Sequence, residues 1–482
     1  MHTIGISLAD PGITACHYDG EETALIPLEN GAVSSPGYAY LGSGGLLFGE
    51  RAIEFFRLNP TRSTDLFWDS LSLQPATITT TKTKAISQAH LAYLHLKTIW
   101  ERIQSIRGEI DGIGMAVPGN LLGTDPREEE RLGILLGIIA DLEIPLSVLL
   151  PLEMSGLHFF APDELVDAPV IYHIDVYQYQ THLYKLEGDS ELSSRFLTKI
   201  PDCGFHHILE LLHNKLAQRF LADTAFDISE DSEVEQVFFQ KVRELLFTEE
   251  RGSRELTIHF ENQVRSIQVA EDHLEHITRS ISERIGGLLF REIRNDGRAG
   301  PQEPVSIQLS VRAAAIPGLA SHLGRHAPSP VRIVEAEKGS AGAGAAMIAS
   351  RFKPAVDLQH TPLYTTWQRP RNPRGLALPQ SSSSSLEPTH LVFKSVAYPI
   401  ETAGILHGDQ KNGTPLPEEL LAAFQFPWNG KGLEIEPPVN LSLRVNDRNI
   451  TKSFHLKTGD RLSISSGGKD YSVEIIHCAE KN

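Results

Sequence analysis

Metal binding and nucleophilic attack each demand several side chains at short, defined spacing, and this chain offers few such groupings. Its three cysteines, Cys16, Cys203 and Cys478, stand too far apart for a CxxC ligand pair or a disulfide framework. Twenty histidines are scattered along the chain, and the adjacent His206 and His207 belong to no metal-binding pattern. No GxSxG, HExxH or Walker A sequence is present, so hydrolase, zincin and P-loop chemistry lack a carrier. The acidic stretch from Asp227 to Glu235 lacks EF-hand spacing and reads as a solvated loop and helix start.

Composition narrows the class. With 482 residues, 41% hydrophobic and 22% charged, the chain has core enough for two to four domains (about one per 100–200 residues). Forty-four basic against 61 acidic residues leave a net charge of -17, which disfavours a global nucleic-acid or anionic-membrane footprint and leaves room only for a local basic patch. Asp10 interrupts the first apolar stretch, and the run Leu132 to Leu142 is too short to span a bilayer, which takes roughly 20 apolar residues. The expectation is a cytoplasmic globular protein without membrane insertion or nucleic-acid binding, whose partners are proteins.

Periodicity supplies the elements that must carry any site. Strand-like stretches run Ile4 to Leu8, Thr14 to Tyr18 and Thr23 to Pro27, with a turn at Asp19-Gly20. Helical spacing from Ser87 to Ile106 leads into a buried strand, Ile110 to Val117. A helix from Glu128 to Leu142 precedes the strand Leu146 to Leu150, and Val170 to Val176 turns back into Gln180 to Leu186. Residues 205–291 read as an insertion of helices around a hairpin, Glu255 to Phe260 with Val264 to Val269. Strands at Val305 to Leu309 and Val331 to Val334 alternate with helices at Ile316 to Leu323 and Ser340 to Ser350, the pattern of α/β layers. Residues 353–388, rich in proline and holding the serine run Ser381 to Ser385, have the composition of a tether. Residues 389–482 read as a small β domain, with strands such as Arg461 to Ser465 and Tyr471 to Ile476 and a turn at Gly459-Asp460.

Residues 1–352 resemble the nucleotide-binding domain of the Hsp70 chaperone family, within the actin, Hsp70 and sugar-kinase superfamily. GISLADPGITACHYDG (Gly5 to Gly20) resembles that family's first phosphate hairpin, and the stretch from Ala24 to Ala52, followed by Asn59-Pro60, follows its next segment. MAVPG (Met115 to Gly119), LPLEMSGLHFF (Leu150 to Phe160) and IYHIDVYQYQTHLY (Ile171 to Tyr184) stand at the strand end, the helix and the second phosphate hairpin. AEKGSAGAGAAMIA (Ala336 to Ala349) resembles the late small-residue helix. The resemblance implies a two-lobed α/β fold that binds ATP or ADP with magnesium. Ser7, Asp175, Arg243, Gly339, Gly342 and Gly344 would then stand at nucleotide-side positions, with Asp175 on the metal side. The C-terminal LRVNDRNITKSFHLKTGDRLSIS resembles the last strands of forkhead-associated domains, without their phosphopeptide-binding half.

The local chemistry departs from the family at each phosphate turn. Glycines surround phosphates there so that backbone N–H groups can converge on the oxygens. Here Asp-x-Gly-Thr-Thr becomes Ser7-Leu8-Ala9-Asp10-Pro11, and the second glycine run becomes Tyr177-Gln178-Tyr179. The catalytic glutamate position falls on Pro151, two residues before Glu153, and the later glycine turn is Ser310-Val311-Arg312. Gln240 and Arg243 stand near the nucleoside-contacting residues, while Glu244 replaces a base. Asp175 is either a retained metal-side residue or a packing carboxylate, and a buried one needs a partner either way. The expectation is a pseudo-ATPase serving as a binding or assembly scaffold, with no catalytic residue established. An ATP-driven chaperone using Asp175, Asp10 and Glu153, or a small-molecule kinase, are the alternatives.

Overall fold

The computed structural model describes residues 2–76, 78, 86–159, 165, 168–247, 252–260, 263–297 and 305–368, and beyond these the strands that lie between 390 and 476. The chain divides into two compact units, Met1–Gly375 and Leu376–Asn482. The first unit is mixed α/β.

Its opening strand, β1 (Thr3–Ser7), is buried throughout and pairs antiparallel with β2 (Ile13–Tyr18), which β3 (Thr23–Leu25) and β4 (Ser34–Ser35) flank. The turn between β2 and β3 forms because the Asp19 carboxylate accepts from the amides of Glu21 and Glu22, at 2.9 and 2.8 Å, and Gly20 takes a positive φ of 112°. A small sheet of β5 (Ala39–Gly42), β6 (Gly45–Phe48) and β7 (Ser63–Thr64) follows. The helix Gln88–Arg107, capped by Ser87, leads to β8 (Gly112–Val117), parallel to β1. The helix Pro126–Asp141 starts with Asp125 as cap and proline in its first turn, and returns the chain to β9 (Leu146–Pro151), parallel to β8.

The second large sheet repeats this plan. β10 (Val170–Val176) pairs antiparallel with β11 (Gln180–Glu187), and β12 (Glu191–Pro201) extends the meander. After the hairpin β13 (Arg254–Phe260) and β14 (Gln263–Val269), the chain re-enters with β15 (Val305–Leu309) parallel to β10 and β16 (Val331–Glu335) parallel to β15. In each sheet, therefore, a hairpin's first strand is joined on its other side by two successive parallel strands. The insertion helices Phe205–Thr224, Ser232–Phe247 and Glu271–Asn295 bury Phe220, Phe238, Phe239 and Ile285 in one core with β10, and Ile4, Ile6, Met115 and Ile139 centre the other.

The helix Ser340–Ala349 packs on β1, β8 and the helix Leu152–Phe159 at backbone range. A methyl group on Gly344 would stand 1.8 Å from the Ser155 carbonyl oxygen, and one on Gly5 equally close to that of Gly342. The small-residue run is thus what lets helix, strand and neighbouring helix touch.

The segment read as a tether from residue 353 is folded onto the first unit as far as Gln368. The amides of Ala355 and Tyr364 bond to Leu146 and Leu149 in β9, both at 2.8 Å. β17 (Thr366–Gln368) then pairs with the start of β12 and buries Trp367, whose indole N–H donates to the Leu157 carbonyl at 3.1 Å. One buried tryptophan and a few ladder bonds outweigh the proline-rich composition here. The serine run and the Gly459-Asp460 turn lie outside the described residues. In the second unit the described strands form a seven-stranded sheet, with His390–Phe393 and Val396–Glu401 beside Lys469–Ile476 and Arg461–Ser466, and a separate pair, Leu433–Ile435 with Phe454–Leu456. Among the described residues no helix is long and apolar enough to cross a membrane.

Candidate functional site

A cavity of about 160 Å³ opens where the repeated hairpins end, and it gathers several residues singled out by sequence: Ser7, Glu153, Asp175 and Gly339 all line it. Ser7 closes β1 and Asp175 lies near the end of β10, so the register of the two sheets delivers both.

What decides the chemistry is Arg312. Ser310 follows β15 and caps the short helix Val311–Ala314 by accepting from the Ala313 amide, which fixes where the next side chains emerge. The Arg312 Nη2 reaches both oxygens of Asp175, at 2.6 and 2.8 Å, and its Nε donates to the Val176 carbonyl at 3.0 Å. The guanidinium also lies 5.6 Å from the centre of the Tyr177 ring. Burial alone would raise Asp175, yet Arg312, helped by His173 and Ser310, holds it below the ordinary carboxylate value. The Asp175 carboxylate is therefore neutralised by an internal cation where the resemblance would place a metal.

Gln178 and Tyr179, where the resemblance would put glycines, are tied to neighbouring side chains. Gln178 donates to Tyr38 and to Asp65, both at 2.8 Å, and the Tyr179 hydroxyl donates to Asp65 as well. Gln180 donates to Asp69 at 2.9 Å. The hairpin is thereby fastened to the segment after β7.

Asp10 faces elsewhere. It borders a second cavity, of about 40 Å³, with Asp69, Asn120, Arg131 and His182, and neither of its oxygens meets a hydrogen-bond partner of good geometry. Burial, reinforced by the charge of Asp69, pushes its pKa up to about 8 against the opposing pull of the Gln178 amide, Arg312 and Arg131. Glu153, in the first turn of the helix Leu152–Phe159, is 2% exposed; Oε1 accepts from Ser194, and Oε2 meets no partner of good geometry among the described residues. Its burial raises the pKa to about 7. Asp10 and Glu153 thus border different cavities, although Glu153 and Asp175 share one.

Arg243 does not line the cleft. It holds Glu50 through two parallel bonds of 2.8 and 2.7 Å. Gly339 begins the small-residue helix at the cleft with a φ of 82°, whereas Gly342 and Gly344 serve the close packing described above. The residue that sequence reasoning left without a role is Arg312; its signal was a lone cation in a turn where glycine is expected, together with a buried aspartate in need of a partner. Among the described residues no group of three histidine, cysteine or acidic side chains is arranged to hold a metal ion.

No protein-family model matches the chain, and no curated protein matches it either.

Proposed function

We propose that this chain is an Hsp70-like protein of the actin-type two-lobed fold whose nucleotide site has been built over, acting as a noncatalytic protein-binding or assembly scaffold. The fold part of the proposal rests on the repeated sheet plan together with the motif order along residues 1–352. The single observation that carries the functional part is the Arg312–Asp175 pair. Magnesium at a nucleotide is held by one or two carboxylates beside the phosphates and water, and Asp175, the carboxylate offered here, is ion-paired through both oxygens with Arg312. Phosphoryl transfer further needs charge neutralisation aimed at the transferred group and an oriented water. Here the Arg312 guanidinium is committed to a protein carboxylate. The remaining space, about 160 Å³, is below the roughly 300–1,000 Å³ of an ordinary ligand pocket.

Asp10 and Glu153, the displaced groups an ATPase could use, border separate cavities, which favours the scaffold over the chaperone ATPase and the small-molecule kinase. The second unit, with its forkhead-associated-like strand sequence, would supply a further docking module. The test is calorimetric titration with ATP and ADP, each with and without magnesium, beside Asp175→Asn. We expect neither heat nor a thermal shift. Micromolar, magnesium-dependent binding that the variant loses would overturn the reading.

A further inference from the structure

β12 spans Glu191–Pro201, but β17 covers only its first residues: Glu191 faces Gln368, Leu192 faces Trp367 and Ser193 faces Thr366. From Ser194 to Pro201 the outer edge of β12 has no strand partner among the described residues. Such an edge presents free N–H and C=O groups and is a ready template for another strand.

A groove of about 550 Å³ runs beside this edge. Ser194, Arg195 and Phe196 all line it, and Lys199 further along. Successive side chains of a strand point to opposite faces, so a groove that touches three in a row lies along the edge and not on one face. The opposite wall is the turn Gly119–Leu122 and the residues up to Asp125. Thr365 closes one end, where the chain passes from its Tyr364 amide bond to β9 into β17 beside β12.

Polar groups along the groove differ in how they are satisfied. Glu128 pairs with Arg131 at 2.9 Å, and Asp125 accepts from the Arg127 amide at 2.9 Å. Glu153 also lines the groove, and its buried Oε2 meets no hydrogen-bond partner of good geometry among the described residues. An unpaired buried carboxylate oxygen favours a cationic donor, which gives a charge-assisted bond that a neutral amide does not match. Arg195 and Lys199 at the rim repel a second basic group there.

We propose that this groove takes an extended segment of a partner protein, added as a strand to the Ser194–Pro201 edge, with one lysine or arginine side chain reaching Glu153. Main-chain bonds to the edge supply affinity, and the buried carboxylate selects a single basic residue among neutral neighbours. Phe196, 39% exposed, offers an apolar contact beside it. The inference rests on the scaffold reading in supposing a protein partner, and its groove shares Glu153 with the cleft that Ser7 and Asp175 line.

The experiment is fluorescence anisotropy of the full chain at pH 8, where Glu153 is ionised, with a labelled, end-blocked hexapeptide of alternating threonine and valine carrying one central lysine. Saturable binding is expected, weakened about tenfold or more by Glu153→Gln, by norleucine in place of the lysine, and by N-methylation of alternate peptide amides. Glu153→Gln should have little further effect on the norleucine peptide. The peptide substitutions leave the protein untouched, so the site stays testable if the variant folds poorly. No binding at millimolar peptide, or binding indifferent to lysine and to N-methylation, would overturn the proposal, as would dimers in sedimentation that the peptide dissociates, since a second copy would then be the occupant. Nucleotide turnover would overturn the pseudo-ATPase reading and leave a positive peptide result standing. Peptide failure in a protein that also ignores nucleotide would remove this site alone.

Discussion

The Nη2 of Arg312 bridges both carboxylate oxygens of Asp175, at 2.6 and 2.8 Å, in a place where the two side chains are 17% and 2% exposed. A buried pair of this kind contributes little net stability against an apolar isostere, but losing one partner strands the other. Arg312→Ala should therefore cost about 3–5 kcal/mol in urea unfolding, while Arg312→Met with Asp175→Leu should recover most of that loss. The pH sign follows from the depressed carboxylate. Its contribution is complete above the ordinary value of 3.8 and disappears as pH falls through the lower folded-state value. If Arg312→Ala unfolds at the wild-type urea midpoint, the pair is not holding the cleft.

Asp10 gives the opposite dependence. Its pKa of about 8, against an ordinary 3.8, means that the folded chain holds a proton the unfolded chain has released. Stability from this group is complete near pH 4 and declines as pH rises through 8. Glu153, at about 7 against 4.5, adds a decline of the same sign at lower pH. Asp10→Asn should leave stability near pH 4 almost unchanged and raise it increasingly above that, by about 4–6 kcal/mol at pH 9. Guanidinium unfolding at the two pH values measures this, and an equal effect of the variant at both would refute the protonated-aspartate account.

A chain of hydrogen bonds fixes one histidine tautomer. Trp68 can only donate, and its indole N–H reaches His95 Nδ1 at 2.9 Å, so the ring proton sits on Nε2, which faces the Ser35 hydroxyl at 2.8 Å; Ser35 in turn donates to Glu29. Burial drives the His95 pKa down to about 3. In NMR titration its ring resonances should not move between pH 5 and 8, and His95→Ala should cost roughly 2–4 kcal/mol through the cavity and the unpaired indole. A His95 signal titrating near pH 6.5 would contradict the arrangement.

Elements with strong local patterns were legible in the sequence. Val170–Val176, Val305–Leu309 and the helix over 88–107 stand where apolar runs and helical spacing put them. β12 was not, because along Glu191–Pro201 only Leu192 and Ile200 are buried, so no alternation marks it. The part of the tether segment that folds depends on Trp367 meeting Leu157, a contact between residues far apart in sequence. The cleft shows the same limit. The turn chemistry revealed that Ser7, Tyr177 and Arg312 stand where glycine or aspartate was expected, but the pairing of Arg312 with Asp175 depends on β15 lying beside β10, which no local pattern encodes.

The small-residue helix offers the sharpest contrast between glycines. At Gly344 an added methyl group would stand 1.8 Å from the Ser155 carbonyl oxygen, a backbone atom that cannot swing away. Gly344→Ala must therefore separate the helices Ser340–Ala349 and Leu152–Phe159, at a cost of about 3 kcal/mol or more, and disturb the cleft that both line. Gly133, exposed in the helix Pro126–Asp141, has nothing within 4 Å of the same added group. There Gly133→Ala should stabilise by about 0.5–1 kcal/mol, since it removes backbone freedom from the unfolded chain without a clash. Thermal melts of the two variants should shift in opposite directions; a shift of the same sign would mean that the close approach of the two helices does not hold in solution.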